Sequence, residues 1–280
     1  MSKRFSVLVQ YMVPKQALTA IAGKLAHAQA GKLTTAVIRW FVKRYQVNMA
    51  EAANPDISSY TSFNDFFTRA LRTGARPQAI AKLTCPVDGA ISQFGPIAVD
   101  QIFQAKGHSY STTALVGGNK EIAAQYQNGS FATIYLSPRD YHRIHMPCDG
   151  KLLSMTYVPG DLFSVNPATA EDVPGLFARN ERVVCEFAGT QGNFILVLVG
   201  ATIVGSMATV WHGIVNPPRP GKIKSWDYSS QNIQLKQGEE MGRFLLGSTV
   251  VLVFPQSDAI VFNSSWVSAG TVRLGEVMAS

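Results

Sequence analysis

The pattern of apolar and polar residues divides the chain into a helical N-terminal part and a strand-rich remainder. Between Lys32 and Val47 apolar side chains recur at helical spacing, and basic side chains lie nearly opposite. A second helix is predicted to begin at Ser62, because Ser-Phe-Asn-Asp at 62–65 is typical of a capped start. Its apolar stripe runs through Leu71 and stops before the Gly-Ala-Arg-Pro sequence at 74–77, so we expect it to face a core.

Beyond residue 83 the pattern changes to short apolar runs separated by Gly, Pro and Asn. The predicted strands are Phe131 to Leu136, Val183 to Phe187, Phe194 to Val204, Thr249 to Phe254, Ile260 to Phe262 and Thr271 to Val277. Such spacing is typical of a sandwich or barrel, whereas the polar stretch 222–238 indicates loops. We therefore predict an α+β protein with N-terminal amphipathic helices followed by a mostly antiparallel β sandwich/barrel-like core.

One predicted strand is interrupted by polar residues. The run from Phe244 to Phe254 is apolar except for Gly247-Ser248-Thr249 near its middle. A glycine inside a strand weakens packing and often marks a bulge or a close backbone approach. A bulge whose hydroxyls bond to nearby backbone is the plain interpretation. Since the strand needs no hydroxyl to fold, Ser248 is also a candidate for chemistry.

All of the excess positive charge lies near the N-terminus. Of the 280 residues, the first 50 carry eight Lys and Arg and no Asp or Glu, while the other 230 carry 17 basic and 18 acidic residues. This asymmetry indicates an anionic partner such as acidic lipid or nucleic acid. The basic helix with Trp40 and Phe41 suits the surface of an anionic membrane, although it could equally pack its apolar face on the protein. We divide the chain into a basic helical segment, residues 1–50, and a strand-rich domain, residues 51–280.

Composition limits the remaining possibilities. An apolar content of 46% with 15% charged residues is typical of a globular chain. Cys85, Cys148 and Cys185 form no Cys-x-x-Cys pair, which indicates a reducing compartment rather than a disulfide framework. Polar residues and a proline break the apolar start, so we expect no secretory signal, and no run approaches the ~18 apolar residues of a membrane-spanning helix.

Three polar residues in separate apolar surroundings could act together. Asp88 precedes a glycine, so it could bond to its own turn or orient a histidine. His142 and His145 have a spacing that, with Cys148, could bind zinc, although the proline before Cys148 argues against a helical ligand face. With Ser248 and Asp88, His145 is the better candidate for a general base. The chain has no Gly-x-Ser-x-Gly elbow and no Walker or Rossmann loop, which disfavours α/β hydrolases, kinases and dehydrogenases.

Several segments together resemble the phosphatidylserine decarboxylase family, in its bacterial, pyruvoyl-dependent form with a Leu-Gly-Ser-Thr cleavage sequence. The resemblance runs nearly end to end. The segments that carry it are Pro86 to Ser92, Tyr135 to Pro147, Tyr157 to Asn166, Leu176 to Arg182 and Leu246 to Thr249.

The resemblance implies a self-processing enzyme. Ser248 would attack the carbonyl of Gly247, with His145 as base and Asp88 orienting it, and residue 248 would become an N-terminal pyruvoyl group. The products would be a β chain of residues 1–247 and an α chain of residues 248–280. The pyruvoyl group would form a Schiff base with phosphatidylserine and release phosphatidylethanolamine, with His142 as proton donor and with neither a metal nor pyridoxal phosphate.

The resemblance also implies how the protein meets its substrate. Tyr135, Ser164 and Asn166 would contact the head group, although each could instead be an ordinary strand or turn residue. The expected partners are an anionic membrane, the substrate lipid and the two chains of one precursor; a homodimer is compatible with the sequence, and nucleic acid is not expected. We expect a peripheral protein on the cytoplasmic side of the cell membrane, with residues 1–50 as the basic, membrane-associating segment and residues 51–280 as the catalytic domain. The alternatives are a non-enzymatic lipid-binding β domain and a zinc-dependent hydrolase, and an intact-mass measurement separates all three.

Overall fold

The computed structural model of the protein describes residues 10–202, 206–245 and 249–280. The α-helices that it describes after residue 14 are short except for the first two. They are α1 (Lys15–His27), α2 (Lys32–Tyr45), α3 (Phe63–Phe67), α4 (Thr112–Leu115), α5 (Lys120–Ala124), α6 (Pro167–Asp172) and α7 (Leu176–Arg179). Two 3-10 turns, Met49–Glu51 and Ile57–Ser59, connect α2 to α3.

Strands make up most of the chain after residue 82. They are β1 (Leu83–Thr84), β2 (Gly89–Pro96), β3 (Gln101–Ala105), β4 (His108–Ser111), β5 (Ser130–Tyr135), β6 (Arg143–His145), β7 (Gly150–Val158), β8 (Arg182–Gly189), β9 (Gly192–Val199), β10 (Met207–Thr209), β11 (Gly213–Asn216), β12 (Lys224–Asp227), β13 (Gln234–Leu235), β14 (Glu240–Phe244), β15 (Thr249–Phe254), β16 (Thr271–Val272) and β17 (Val277–Ala279). The α+β prediction is confirmed.

The largest sheet has nine strands. Its order is β12-β7-β8-β9-β15-β5-β2-β16, and β13 also pairs with β7. A second sheet has the order β11-β10-β14-β6, and β1-β17 and β3-β4 form two small pairs. Every pairing between these strands is antiparallel, and among the described strands the sheets do not close into a barrel.

Strand β15 lies inside the large sheet and is buried on both faces. Val250, Leu252 and Phe254 belong to one apolar cluster, while Val251 and Val253 belong to another. Because successive side chains point to opposite faces of a strand, this uninterrupted apolar run supplies two cores at once. The predicted bounds Thr249 to Phe254 are confirmed.

The pairing register brings two strand starts to one edge of this sheet. Tyr135 at the end of β5 lies opposite Ala90 of β2 on one side and Thr249 of β15 on the other. Since β2 and β15 are both antiparallel to β5, they run in the same direction. The residues that precede these two strands, Asp88 among them, therefore lie at the same edge of the sheet.

The N-terminal helices pack on α3 through a small third cluster. Ile38 and Val47 contact Phe66 and Phe67 there, and Ile38 is fully buried. The predicted cap is confirmed, because Ser62 Oγ accepts a hydrogen bond from the backbone N–H of Asp65 at 3.1 Å. The predicted length of α3 is wrong. The helix ends at Phe67, where Thr68 bonds back to the carbonyl of Asn64, and Leu71 instead forms a β-bridge with Ala52.

Other predicted strands also need correction. Phe262 makes only an isolated bridge with Ala279, so Ile260 to Phe262 is not a strand. Thr271 to Val277 is divided into β16 and β17 by a turn in which Glu276 bonds back to Arg273. The polar stretch 222–238 contains β12 and β13, whose side chains are mostly exposed because both strands lie at an edge beside β7.

The first two helices leave part of their apolar surface uncovered. In α2, Leu33, Val37 and Trp40 are 66%, 43% and 61% exposed, while Ile38 on another side of the same helix is buried. Among the described helices, none combines the length and apolar content that crossing a membrane requires.

We predict that Ile38→Ala lowers the free energy of unfolding by roughly 2–5 kcal/mol, because it leaves a cavity among Val47, Phe66 and Phe67. The control is Val37→Ala one position earlier, where the exposed side chain should change stability by no more than ~0.5 kcal/mol. Urea unfolding followed by fluorescence measures both. Equal losses in the two variants would contradict the packing described for α2.

Candidate active site

Asp88 lies at the edge where β2 begins. Its side chain is buried, with the residue 6% exposed. Gly89 follows it as the first residue of β2, and a Cβ on Gly89 would collide with the carbonyl oxygen of Tyr135. The Asp-Gly pair thus starts a strand rather than forming a hairpin turn. Glycine is required here because the backbones approach closely.

A guanidinium holds the Asp88 carboxylate in place. Arg76 Nε donates to Oδ1 at 2.9 Å, Arg76 Nη2 donates to Oδ2, and the backbone N–H of Leu274 donates to Oδ1 at 2.9 Å. Arg76 Nη2 also reaches Glu51 at 2.8 Å. The hydrogen bond to Asp88 raises the pKa of Arg76. Sequence reasoning missed Arg76, because one arginine in a Gly-Ala-Arg-Pro turn carries no signal of its partner.

His145 lies on β6, next to the segment that leads to Asp88. Its backbone N–H donates to the carbonyl of Pro86 at 2.9 Å. The ring Nδ1 donates to the carbonyl of Gly238 at 2.7 Å, so the neutral ring accepts at Nε2 from the Tyr141 hydroxyl at 3.2 Å. Burial lowers the pKa of His145, and the charge of Asp88 opposes that shift weakly. The structure places the two predicted residues near each other without a direct hydrogen bond between their described side chains.

His142 is fully buried and keeps one ring nitrogen unused. Its Nδ1 donates to the carbonyl of Asp140 at 2.8 Å, and the ring packs on Phe67 with centroids 4.1 Å apart. Burial lowers the pKa of His142 to about 3, so the ring is neutral at physiological pH. Because Nδ1 carries the hydrogen, Nε2 presents a lone pair, and this atom has no hydrogen-bond partner in the described part of the chain.

The predicted nucleophile and cleavage position lie outside the described residues. Leu246, Gly247 and Ser248 are not described, but the chain on either side of them is. Before them, the N–H of Phe244 donates to the carbonyl of His142 at 3.0 Å. After them, Thr249 lies between Tyr135 and Val199 in the sheet, and its buried Oγ1 has no partner among the described residues. The chain thus approaches this tripeptide beside His142 and continues beside Tyr135.

The residues expected to bind the head group lie in two places. Tyr135 is half-buried at the sheet edge, and burial raises its pKa. Ser164 and Asn166 precede α6, where Asn166 caps the helix by accepting from the N–H of Thr169 at 2.9 Å. The N–H of Ser164 donates to the Gln10 side chain at 2.8 Å. Asn166 therefore has a folding role of its own, and contact with a head group stays a prediction for all three.

A polar cavity of about 370 Å³ opens beside Asp88. Its walls come from the sheet edge, from Tyr141 and from the segment that follows α2, and they include the arginines Arg69, Arg76, Arg139 and Arg273.

As for the zinc hypothesis, the described residues contain no group of three His, Cys, Asp or Glu side chains arranged to hold a metal. Cys148 is buried, and burial raises its thiol pKa to about 12.

We predict that the protein becomes less stable as pH falls below about 6.5, the ordinary histidine pKa. The unfolded chain binds a proton at His142 in this range, whereas the folded chain does not until about pH 3. The loss should approach ~1.4 kcal/mol per pH unit from this residue, and His145 adds to it in the same direction. In a Ser248→Ala background, His142→Gln should flatten the stability profile between pH 6 and 4.5. His108→Gln is the control, because His108 is half-exposed. Equal slopes of stability against pH for His142→Gln and its Ser248→Ala parent would contradict the burial argument.

Comparisons with known proteins show which family the chain belongs to. The phosphatidylserine decarboxylase family model matches residues 63–280, and a second model described as PSD matches residues 5–46. The phosphatidylserine decarboxylase proenzyme of Methylobacillus flagellatus is 74% identical over 279 residues, covering 100% of both chains. That of Dechloromonas aromatica is 70% identical over 280 residues, covering 100% of this chain and 99% of its own. The recognition made from the motifs is confirmed: the chain belongs to the phosphatidylserine decarboxylase family and is a decarboxylase.

Proposed function

We propose that this enzyme converts phosphatidylserine to phosphatidylethanolamine after cutting its own chain between Gly247 and Ser248. The observation that carries the proposal is that β2, which Asp88 precedes, and β15 start at the same sheet edge. The two histidines bond through their backbones to the segments leading to these strands, His145 to Pro86 and His142 to Phe244. The proposal is further supported by the relatives, which match this chain over nearly their full length and are named proenzymes.

In the cutting step His145 acts as the base. Its pKa is lowered by burial, so the ring is neutral and Nε2 can accept the Ser248 hydroxyl proton in exchange for the Tyr141 hydrogen bond. The Ser248 oxygen then attacks the Gly247 carbonyl carbon, the peptide C–N bond breaks and the nitrogen takes the proton from His145. The product is an ester in which Ser248 has a free amine and the two parts of the chain are still joined. Loss of the Cα proton of residue 248 then expels the Gly247 carboxylate, which separates the chains, and the dehydroalanine left behind tautomerises and reacts with water to release ammonia. Asp88, fixed by Arg76, stabilises the positive charge that His145 carries while the ester forms.

The fit of a pyruvoyl group at residue 248 is supported by buried polar atoms. Thr249 Oγ1 and His142 Nε2 are both buried without described partners. Thr249 directly follows residue 248, and the backbone of His142 bonds to Phe244, shortly before it. A buried polar atom without a hydrogen bond lowers the stability of the fold, so a polar group at residue 248 that bonds to these atoms would be favourable. When present, the pyruvoyl group supplies an electron-withdrawing carbonyl to the substrate amine.

His142 handles the proton in the decarboxylation. The substrate ammonium must lose a proton before its nitrogen can react. The substrate carboxylate would raise the low pKa of the buried ring, so that the free lone pair on His142 Nε2 can accept this proton. After carbon dioxide leaves, the same Nε2–H can give the proton to the carbon left behind. The hydrogen bond from Nδ1 to Asp140 holds the ring in the tautomer that this shuttle requires.

We also propose that the N-terminal helices attach the enzyme to the cytoplasmic face of the cell membrane. Lys32, Arg39 and Lys43 are exposed on α2. An apolar groove of about 440 Å³ lies between α1 and α2, and the exposed Leu33 and Trp40 line it. This combination of basic and apolar side chains suits an anionic leaflet.

The proposed function predicts which variants are cut. Wild-type protein should run as two chains on a denaturing gel, with an α chain that begins at residue 248 and lacks ammonia by intact mass. Ser248→Ala, Asp88→Asn and His145→Ala should remain one chain, because each lacks part of the cutting machinery. His142→Ala should be cut but release carbon dioxide at least ~100-fold more slowly, the low end of a general acid–base contribution.

Two results would contradict these assignments. An intact wild-type chain with full decarboxylase activity would exclude the self-cutting mechanism. Accumulation of uncut precursor in His142→Ala, together with normal cutting in His145→Ala, would reverse the two histidine roles.

The attachment proposal predicts a salt-sensitive loss of vesicle binding. Reversing Lys32, Arg39 and Lys43 to Glu should weaken sedimentation with anionic vesicles at low salt, by about 1 kcal/mol for each positive charge removed. Self-cutting should be unaffected, because the cutting residues lie outside these helices. The control reverses Lys82, Lys120 and Lys222, which are exposed on the strand-rich part. Equal binding of the two triple variants would show that α2 does not face the lipid.

A further inference from the structure

The polar cavity beside Asp88 contains more arginine than the cutting step uses. Four guanidinium groups line it, and so do the carboxylates of Glu51, Asp88, Asp140 and Glu276. On charge count alone the lining would be neutral. The hydrogen bonds, however, distribute the carboxylates unevenly among the arginines.

The carboxylates are already engaged. Asp88 and Glu51 both bind Arg76, and Glu51 also lies 3.6 Å from Arg273. The Asp140 carboxylate accepts from the N–H of Ser137 at 2.7 Å. In the same way, Glu276 accepts from the N–H of Arg273 at 3.0 Å.

Arg69 is the lining arginine without an anionic partner among the described residues. It is only 5% exposed, and its buried Nε has no hydrogen-bond partner in the described structure. The ring centroid of Phe66 lies 5.3 Å from its guanidinium carbon. The charges of Asp88 and Glu51 also act on Arg69, but neither carboxylate forms an ion pair with it among the described contacts. A buried guanidinium remains charged, and leaving it unpaired costs several kcal/mol. An anion that enters the cavity could therefore form the direct ion pair that Arg69 lacks among the described residues.

The cavity lies within reach of the reacting edge. Asp88 and Gly89 line it, and Ala90 is two strands from Thr249 across the sheet, a separation of about 10 Å at ordinary strand spacing. In phosphatidylserine the amine nitrogen and the phosphorus are four bonds apart, roughly 5 Å. A substrate whose amine is at residue 248 can thus direct its phosphodiester toward this cavity.

The reaction itself indicates which anion Arg69 should hold. The substrate has a carboxylate and a phosphodiester, and the carboxylate must leave as neutral carbon dioxide. A cation paired with that carboxylate would stabilise the ground state more than the transition state and would slow the reaction. The phosphodiester keeps its charge throughout, so a guanidinium can hold it without raising the barrier.

We propose that Arg69 binds the phosphodiester of the lipid head group and so positions the serine moiety at residue 248. This inference deepens the proposed function and rests on it. Because the product keeps the same phosphodiester, Arg69 should hold phosphatidylethanolamine as well as the substrate.

The test uses processed enzyme and a short-chain, water-soluble phosphatidylserine, so that membrane attachment does not enter. Arg69→Gln should be cut normally, and its KM should rise roughly 10- to 100-fold, the range for one lost charge-assisted hydrogen bond. Its kcat should change less than threefold, and inhibition by short-chain phosphatidylethanolamine should weaken by the same factor as KM. Arg273→Gln is the matched control, since this arginine lines the same cavity but is 61% exposed and paired with Glu51.

Several outcomes would overturn the inference while leaving the proposed function intact. One is an unchanged KM in Arg69→Gln when the wild-type enzyme is active. Another is a kcat that rises together with KM, because removing a cation paired with the leaving carboxylate would speed the reaction, and this result would assign Arg69 to the carboxylate. Wild-type enzyme gives a test independent of folding in the variant: glycerophosphoethanolamine should compete at lower concentration than ethanolamine. Inorganic phosphate that competes as well as glycerophosphoethanolamine would assign the site to free phosphate instead. Absence of carbon dioxide release from the wild type would refute the proposed function itself.

Discussion

The arrangement of the site depends on the antiparallel register of β2, β5 and β15. Ala90, Tyr135 and Thr249 lie side by side, and a shift of one residue would turn every side chain of a strand to the opposite face. The register is held because a slip would move Val250 and Leu252 into the core that Val251 and Val253 fill, and because Gly89 allows close contact with the Tyr135 backbone. Packing energy spread over the whole sheet thus determines where Asp88 and the start of β15 lie.

A second constraint connects this edge to the N-terminal helices. Arg76 binds Glu51, in the turn after α2, and Asp88, before β2. Breaking a buried pair of this kind is costly, because it leaves an uncompensated charge. The helices proposed to meet the membrane are therefore tied by a charged contact to the residue proposed to act on His145.

The sequence was most informative where a pattern is local. The cap at Ser62, the bounds of β15 and the amphipathic character of α2 follow from side chains near one another in the chain. Contacts between distant segments could not be read in this way. Arg76 bonds to Asp88, twelve residues later in the chain. Arg69 lies just beyond Phe67, where the helix ends earlier than its apolar stripe predicts. The free Nε2 of His142 was equally hidden, because it depends on which carbonyl its other nitrogen meets.

The central position of β15 determines what happens to the protein after the proposed cut. The fragment that starts at residue 248 contains β15, β16 and β17, which pair with β5 and β9, with β2 and with β1. A break before β15 removes one covalent bond but none of these pairings, so the two chains should stay interlocked. Once unfolded, however, they can rejoin only by meeting in solution, so recovery would depend on concentration, and the group formed at residue 248 could not be restored to a peptide bond. Processing would thus change refolding from a unimolecular into a bimolecular reaction.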